Sequence, residues 1–247
     1  MEEKLDYEDF KPLFGAWAEK FRPFIESKEM YDIYQKLKSE KEIIVPNSAS
    51  VFRAFSLTRP DSIRSIWYLM DPYPRRYAGR AKINQATGVA MDCSNSPDGK
   101  IQPSLEKFYD AISKELGDRV VKSPDLTYLL DQGILLLNTD LTCKLNKTGS
   151  HEGLWEPFQK FFLEEVMRGT KDIIYVLCGK DSKRMKKFIN PLGNTIVELD
   201  HPAFADRTHT DWNSKGVFKM INKSLAAEGK EPILWDKRVY DTEWVPF

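Results

Sequence analysis

The sequence predicts an α/β fold, a single domain with a central, mostly parallel four-stranded sheet flanked by helices. Three observations carry that prediction. Short apolar runs at residues 63–70, 134–137, 172–178 and 194–199 read as buried strands. Stretches with three-to-four apolar spacing lie between them, the alternation expected of a parallel sheet. No internal repeat, low-complexity tract or Gly/Ser linker divides the 247 residues. One domain over 1–247 is therefore expected, with 1–45 as an N-terminal helical segment packed on it.

In chain order, residues 1–45 carry apolar positions such as Leu13, Phe14, Trp17, Phe21, Phe24, Ile33 and Leu37 at helical spacing. Pro23 is expected to mark a boundary between two helices. Pro46-Asn47-Ser48 reads as an N-cap for a short helix with Val51, Phe52, Ala54 and Phe55. The first strand ends in Met70-Asp71-Pro72-Tyr73-Pro74, and a basic loop, Arg75-Arg76-Tyr77-Ala78-Gly79-Arg80-Ala81-Lys82, follows. Pro103-Ser104 opens a helix with Leu105, Phe108, Ile112 and Leu116. Ser123-Pro124-Asp125 is read as the start of another, capped by Ser123. Gln132-Gly133 stops it before the second strand, which ends at Asn138. A loop to Leu154, a helix with Trp155, Phe158 and Phe162, the third strand, a basic helix near 183–187 and the fourth strand complete the alternation. A last helix is expected near 214–227.

Composition excludes several classes. Hydrophobic residues make up 41% and aromatics 12%, which fits a globular chain. No apolar run is long enough to span a membrane, and the acidic N-terminus lacks the apolar core of a signal peptide. Cys93, Cys143 and Cys178 are too few and too dispersed for a disulfide framework or a zinc site, so an intracellular, reducing compartment, cytoplasmic or nuclear, is expected. Lys plus Arg and Asp plus Glu each number 37. Any nucleic-acid binding must therefore rest on a local patch.

Three strands end on polar residues: Asp71, Asn138 and His201. In a parallel sheet these lie along the carboxyl edge, where ligands bind. A carboxylate, a carboxamide and an imidazole can together orient a water, read a planar amide and stabilise a developing anion. Each also has a structural reading: Asp71 as a turn residue, Asn138 as a backbone partner, His201 as a packed ring. No glycine-rich phosphate loop, metal-ligand spacing or nucleophile elbow is present, so no cofactor and no metal are expected.

Asp71-Pro72-Tyr73, Gly88-Val89-Ala90, Gln102-Pro103-Ser104-Leu105, the run from Gln132 to Thr139, Leu141-Thr142, Ser150-His151, Trp155-Glu156 and His201-Pro202 resemble, in order, the motifs of the family 1 uracil-DNA glycosylases. The resemblance covers roughly residues 46–235. Asp71-Pro72-Tyr73-Pro74, Cys143-Lys144-Leu145 and His201-Pro202-Ala203 look closest to the poxvirus-type branch. The resemblance implies removal of uracil from single- or double-stranded DNA by base flipping, leaving an abasic site. It implies that Asp71 positions the attacking water and that His201 donates to the uracil oxygen that gains charge. Asn138 reads the amide edge and Tyr73 excludes a 5-methyl group, with Met70 and Met91 also lining the base pocket. Gln102, Pro103, Ser104, Lys144, Ser150, Ala203, Phe204 and Arg207, with Arg75 and Arg76 of the basic loop, are the DNA-binding candidates.

Met91 stands where the family has a stacking aromatic, a more adaptable floor than Phe. Residues 75–82 are longer than the usual connection and serve either as an added DNA grip, with Tyr77 free to stack, or as an exposed insertion. Phe204 is the nearest apolar wedge, and Ala205 is the alternative position. The charge run at 183–187 reads as a solvated face. Two other functions stay open: excision of a 5-substituted pyrimidine, and a DNA-binding replication or processivity partner with little catalysis. A replication protein or an inhibitor protein is the expected protein partner.

Overall fold

The computed structural model describes residues 4–79 and 82–243. Its strands are β1 (Ile44–Val45), β2 (Ser65–Leu69), β3 (Ile134–Asn138), β4 (Cys143–Lys144), β5 (Ile174–Cys178) and β6 (Thr195–Leu199). The α-helices are α1 (Tyr7–Phe14), α2 (Ala18–Ile25), α3 (Lys28–Ser39), α4 (Arg53–Ser56), α5 (Pro103–Leu116) and α6 (Thr127–Asp131). They continue with α7 (Glu156–Phe161), α8 (Pro202–Arg207), α9 (Val217–Ala227) and α10 (Lys237–Glu243).

The central sheet has the order β3-β2-β5-β6, and every pairing is parallel. Every residue of β2, β3 and β5 is buried. Helices cover both faces of such strands, which is why they read as continuous apolar runs. The sheet places the expected site by its connections. From β2 the chain crosses to β3 on one side, while from β5 it crosses to β6 on the other. The point where those crossovers diverge lies between β2 and β5, and a crevice opens there at the carboxyl ends. Leu69 is in register with Asn138, and Cys178 with Leu199, so the strands finish on one level.

Entry into β3 depends on Gly133, whose φ is +83°. A Cβ there would come within 1.9 Å of the Ser62 carbonyl, so only glycine allows α6 to turn into the sheet.

The N-terminal helices share the aromatic core of the rest of the chain. Phe14 stacks on Phe52 with centroids 4.2 Å apart, and Phe21 stacks on Phe158 at 5.0 Å. Trp17 is buried and donates its indole N–H to the Thr58 carbonyl at 2.7 Å.

Several boundaries differ from the sequence reading. Pro23 lies inside α2, and the break falls at Ser27, whose Oγ accepts the Met30 N–H at 3.2 Å. A proline so near the end of a helix forfeits one hydrogen bond, offset by burial of Phe21, Phe24 and Ile25. Ile44–Val45 is not helical but pairs antiparallel with Cys143–Lys144. Ser123 caps a turn rather than a helix. Its Oγ accepts the Asp125 N–H, and Asp92 then captures the Leu126 N–H at 2.9 Å, which delays α6 to Thr127. The basic segment is a 3-10 helix, Ser182–Phe188, and α10 was not anticipated.

Candidate active site

Asp71 leaves β2 two residues after Leu69 and enters the crevice. Its Oδ2 accepts the Gly149 N–H at 2.7 Å. The loop carrying Gly149 is fixed on both sides. Ser150 Oγ accepts the Lys144 N–H at 2.7 Å, and His151 Nδ1 bonds the Thr142 hydroxyl, which accepts the Trp155 indole N–H. Burial pushes the Asp71 carboxyl up to about 6, and the charges of Asp140 and Asp181 add to that effect. The Gly149 N–H works in the opposite direction.

His201 follows β6 and forms the N-cap of α8. Its Nδ1 accepts the Ala203 N–H at 3.1 Å. An acceptor Nδ1 assigns the ring proton to Nε2. Burial lowers the imidazole to about 4, and the Arg207 charge lowers it further, against the pull of Asp181. The ring is therefore a neutral N–H donor at neutral pH. Gly179, with φ +95°, packs against it. A Cβ there would sit 3.0 Å from the His201 Cβ, so β5 must exit on glycine for the ring to fit.

Asn138 ends β3. The buried Gln159 amide donates to the backbone carbonyls of Asn138 and Thr139 at 3.1 Å each, and its carbonyl accepts the Tyr68 hydroxyl at 2.9 Å. The Asn138 carboxamide makes no hydrogen bond among the described residues and lines the cavity. Tyr73 is held at its hydroxyl, which bonds Ser104 Oγ at 2.7 Å and the Met91 carbonyl at 3.4 Å. Met91 has a left-handed φ of +62° and is 5% exposed.

These residues enclose a cavity of about 510 Å³. Of the residues expected from the sequence, Met70, Asp71, Tyr73, Met91, Ser104, Asn138, His201, Ala203, Phe204 and Arg207 line it. Phe204 is 52% exposed while Ala205 is buried, so Phe204 is the one available as a wedge. Gln102 and Pro103 stand at the start of α5 beside Ser104.

Four expectations are corrected or limited. Lys144 is not a free phosphate donor: its ammonium is paired with Glu40 at 2.8 Å and Glu42 at 3.3 Å. Ser150 already accepts the Lys144 N–H. Arg76 is engaged with Asn84 at 2.8 Å, whereas Arg75 is exposed. Tyr77 is not free to stack, because antiparallel bonds to Ile83 and between Gln85 and Arg75 fold this loop back and bury its hydroxyl. Arg80 and Ala81, within the insertion, lie outside the described residues.

The charge run at 183–187 also divides. Lys186 and Lys187 pair at the surface with Glu198 and Glu156, while Arg184 turns inward to Asp140 at 2.9 Å. Lys180, Asp181 and Asp200 line the cavity but were missed. The available signal was their position at the ends of the third and fourth strands. Among the described residues no group of three His, Cys, Asp or Glu side chains is placed to hold a metal ion. Among the described residues no helix is long and apolar enough to cross a membrane.

No model of a known protein family matches the chain. A uracil-DNA glycosylase of Campylobacter curvus is 31% identical over 242 residues, covering 94% of this chain and 97% of the relative. The chain belongs to the uracil-DNA glycosylase family. Another uracil-DNA glycosylase, from Limosilactobacillus reuteri, is 30% identical over 226 residues, 90% of this chain and 94% of the relative. Among solved structures, mimivirus uracil-DNA glycosylase superposes with a TM-score of 0.81 at 22% identity. That match covers 94% of this chain and 90% of the mimivirus chain, and it shows the uracil-DNA glycosylase fold.

Proposed function

We propose that the chain is a monofunctional uracil-DNA glycosylase that hydrolyses the N-glycosidic bond of deoxyuridine in DNA. The observation that carries the reading is the meeting of Asp71, Asn138 and a neutral, Nε2-protonated His201 in one cavity. A base inside a duplex cannot reach such a cavity, so the nucleotide is flipped into it. The unpartnered Asn138 carboxamide then pairs with the amide edge of uracil. Cytosine exchanges donor and acceptor along that edge and is refused. Tyr73, pinned by Ser104, fills the space a 5-methyl group would need.

As the C1′–N1 bond stretches, the base gains negative charge and the sugar positive charge. His201 Nε2–H donates to the charged uracil oxygen, and no proton need be transferred to the ring first. The Asp71 carboxylate stabilises the sugar cation and orients a water whose oxygen adds to C1′, and the proton that this water gives up ends on the departing uracil anion. Free uracil and an abasic site are the products. Gly149 holds Asp71 in place, and Asp140 with Arg184 braces the loops behind it.

Contact with DNA is assigned to the α5 entry at Gln102–Ser104 and to α8, where Phe204 is the wedge and Arg207 the cation. Pro74, Cys143-Lys144-Leu145 and Ala203 support a poxvirus-type placement within the family. The three buried free thiols support a reducing compartment, cytoplasmic or nuclear. One related structure is described as mimivirus UNG in complex with UGI. The same cavity mouth supports binding of an inhibitor protein here, and residues 1–247 are taken as one functional unit.

Incubation of the full chain with a uracil-containing oligonucleotide, followed by alkali, tests the reading. Strand breaks at the uracil position are expected, and folded protein that yields none contradicts it.

A further inference from the structure

The loop that supplies the Gly149 N–H has little regular structure beneath it. Its base, β4, has two residues and forms a two-stranded sheet with the equally short β1, Ile44 opposite Lys144 and Val45 opposite Cys143. A ladder of that size is marginal by itself. Yet the loop grips the end of the catalytic strand at two points. The Gly149 N–H donates to Asp71 Oδ2 and the Asn146 N–H to the Pro74 carbonyl, both at 2.7 Å.

Ion pairs to the N-terminal segment supply the missing support. Lys144 Nζ lies 2.8 Å from Glu40 and 3.3 Å from Glu42, and Lys147 Nζ lies 2.6 Å from Glu42. Glu40 directly follows α3. Its side chain is 11% exposed and that of Lys144 21%, so water and salt screen this pair far less than a surface pair. The other charged or titratable groups facing Glu40 are Lys36, at 3.9 Å, and the His151 ring. The backbone repeats the connection, because the Leu145 N–H donates to the Ile43 carbonyl at 2.7 Å. Glu40, Glu42, Lys144 and Lys147 do not line the cavity. Any effect they have on the reaction must pass through the loop.

We propose that Glu40 and Lys144 are positioning residues for the reaction: their ion pair clamps the 145–150 loop to the N-terminal segment and so fixes Asp71 against the bond to be broken. The inference rests on the glycosylase reading and gives Lys144 a role inside the protein in place of one on DNA. Placement of this kind matters to rate, since a displacement of about 1 Å at a reacting group can cost about a hundredfold.

Two readouts on the full chain test it: titration of the Asp71 carboxyl by carbon-13 NMR, assigned with Asp71→Asn, and kcat against KM for uracil release. Burial holds the Asp71 carboxyl at about 6 while the Gly149 N–H pulls it down, so a loosened loop lets the titration rise. Loss of one hydrogen bond to the carboxylate should raise it by about 0.5–1 pH unit. Lys144→Met and Glu40→Ala should both show that rise, with kcat about tenfold to a hundredfold lower and KM little changed. A change of local charge alone would separate the two variants: losing the lysine raises the titration, whereas losing the glutamate lowers it. Lys144→Arg remakes the pair and should titrate as the wild type does. Lys122→Met, which breaks a surface pair with Asp110 outside the cavity, should move neither readout. An unchanged or lowered titration in Glu40→Ala, or an equal rise in Lys122→Met, overturns the inference. Thermal midpoints verify folding, and Glu40→Ala carries the test if Lys144→Met does not fold. Uracil release by the wild type separates the two claims. Release with an unmoved Glu40→Ala titration sinks only this inference, while raised titrations without any release sink only the glycosylase reading.

Discussion

Replacing Asp71 by Asn should stabilise the protein while it abolishes catalysis. In the folded chain the Asp71 carboxyl stands at about 6, raised from 3.8 mainly by burial. The folded state therefore binds more protons than the unfolded chain between those values. Stability gains as pH falls through 6, and the full cost of the ionised form is present above it. That rise corresponds to about 3 kcal/mol, a ceiling because solvent still reaches part of the carboxyl. Asparagine keeps an acceptor for the Gly149 N–H and removes the buried charge. Urea melts at pH 8 should therefore show the variant more stable by up to about 3 kcal/mol, a rise of roughly 6–12 °C in melting temperature. The advantage should vanish below pH 4, where both proteins are uncharged at this position. A variant no more stable than wild type at pH 8 would refute the claim that Asp71 is held as a desolvated carboxylate.

The acid limb of kcat/KM should follow the same group, falling about tenfold per pH unit below 6, with no inflection from His201 above that value; a limb centred near 4 would contradict it. His201→Leu should lower kcat by about 10²–10³ with little effect on KM, as expected for loss of a donor used in the transition state. Tyr73→Ala should open the pocket to thymine, measured as thymine release, whereas Tyr73→Phe should still exclude it because the ring remains. Arg184→Met leaves the nearly buried Asp140 without its partner and should destabilise the fold by about 2 kcal/mol, discounted for the partial exposure of Arg184. Chemical denaturation of Arg184→Met and of the Arg184→Met/Asp140→Leu double variant measures that cost, which the second substitution should largely relieve.

The parallel sheet was legible because its inner strands are buried on both faces, and such strands are written as uninterrupted apolar runs. Asp71, Asn138 and His201 were legible for a related reason: each is the first polar group after such a run, and parallel strands bring those ends to one edge. Charges paired across the chain were not legible. Nothing near Lys144 in sequence announces Glu40 and Glu42, and Arg184 sits in a basic run whose Lys186 and Lys187 face water. Asp140 follows Asn138 closely, yet its partner is 44 residues away. Lys180 was overlooked because a lone lysine after a strand has no pattern. Local errors have local causes. Two successive side-chain captures, of the Asp125 N–H by Ser123 and of the Leu126 N–H by Asp92, delayed α6, and burial of Phe21 and Phe24 carried α2 past Pro23.

The most direct test of the central claim is the free base released from oligonucleotides containing uracil, thymine or a 5-substituted pyrimidine, by wild type and by Asp71→Asn. Wild type should release uracil and leave thymine and the 5-substituted base in place, and the variant should release almost nothing. Release of the 5-substituted base in preference to uracil, or equal output from Asp71→Asn, would contradict the account.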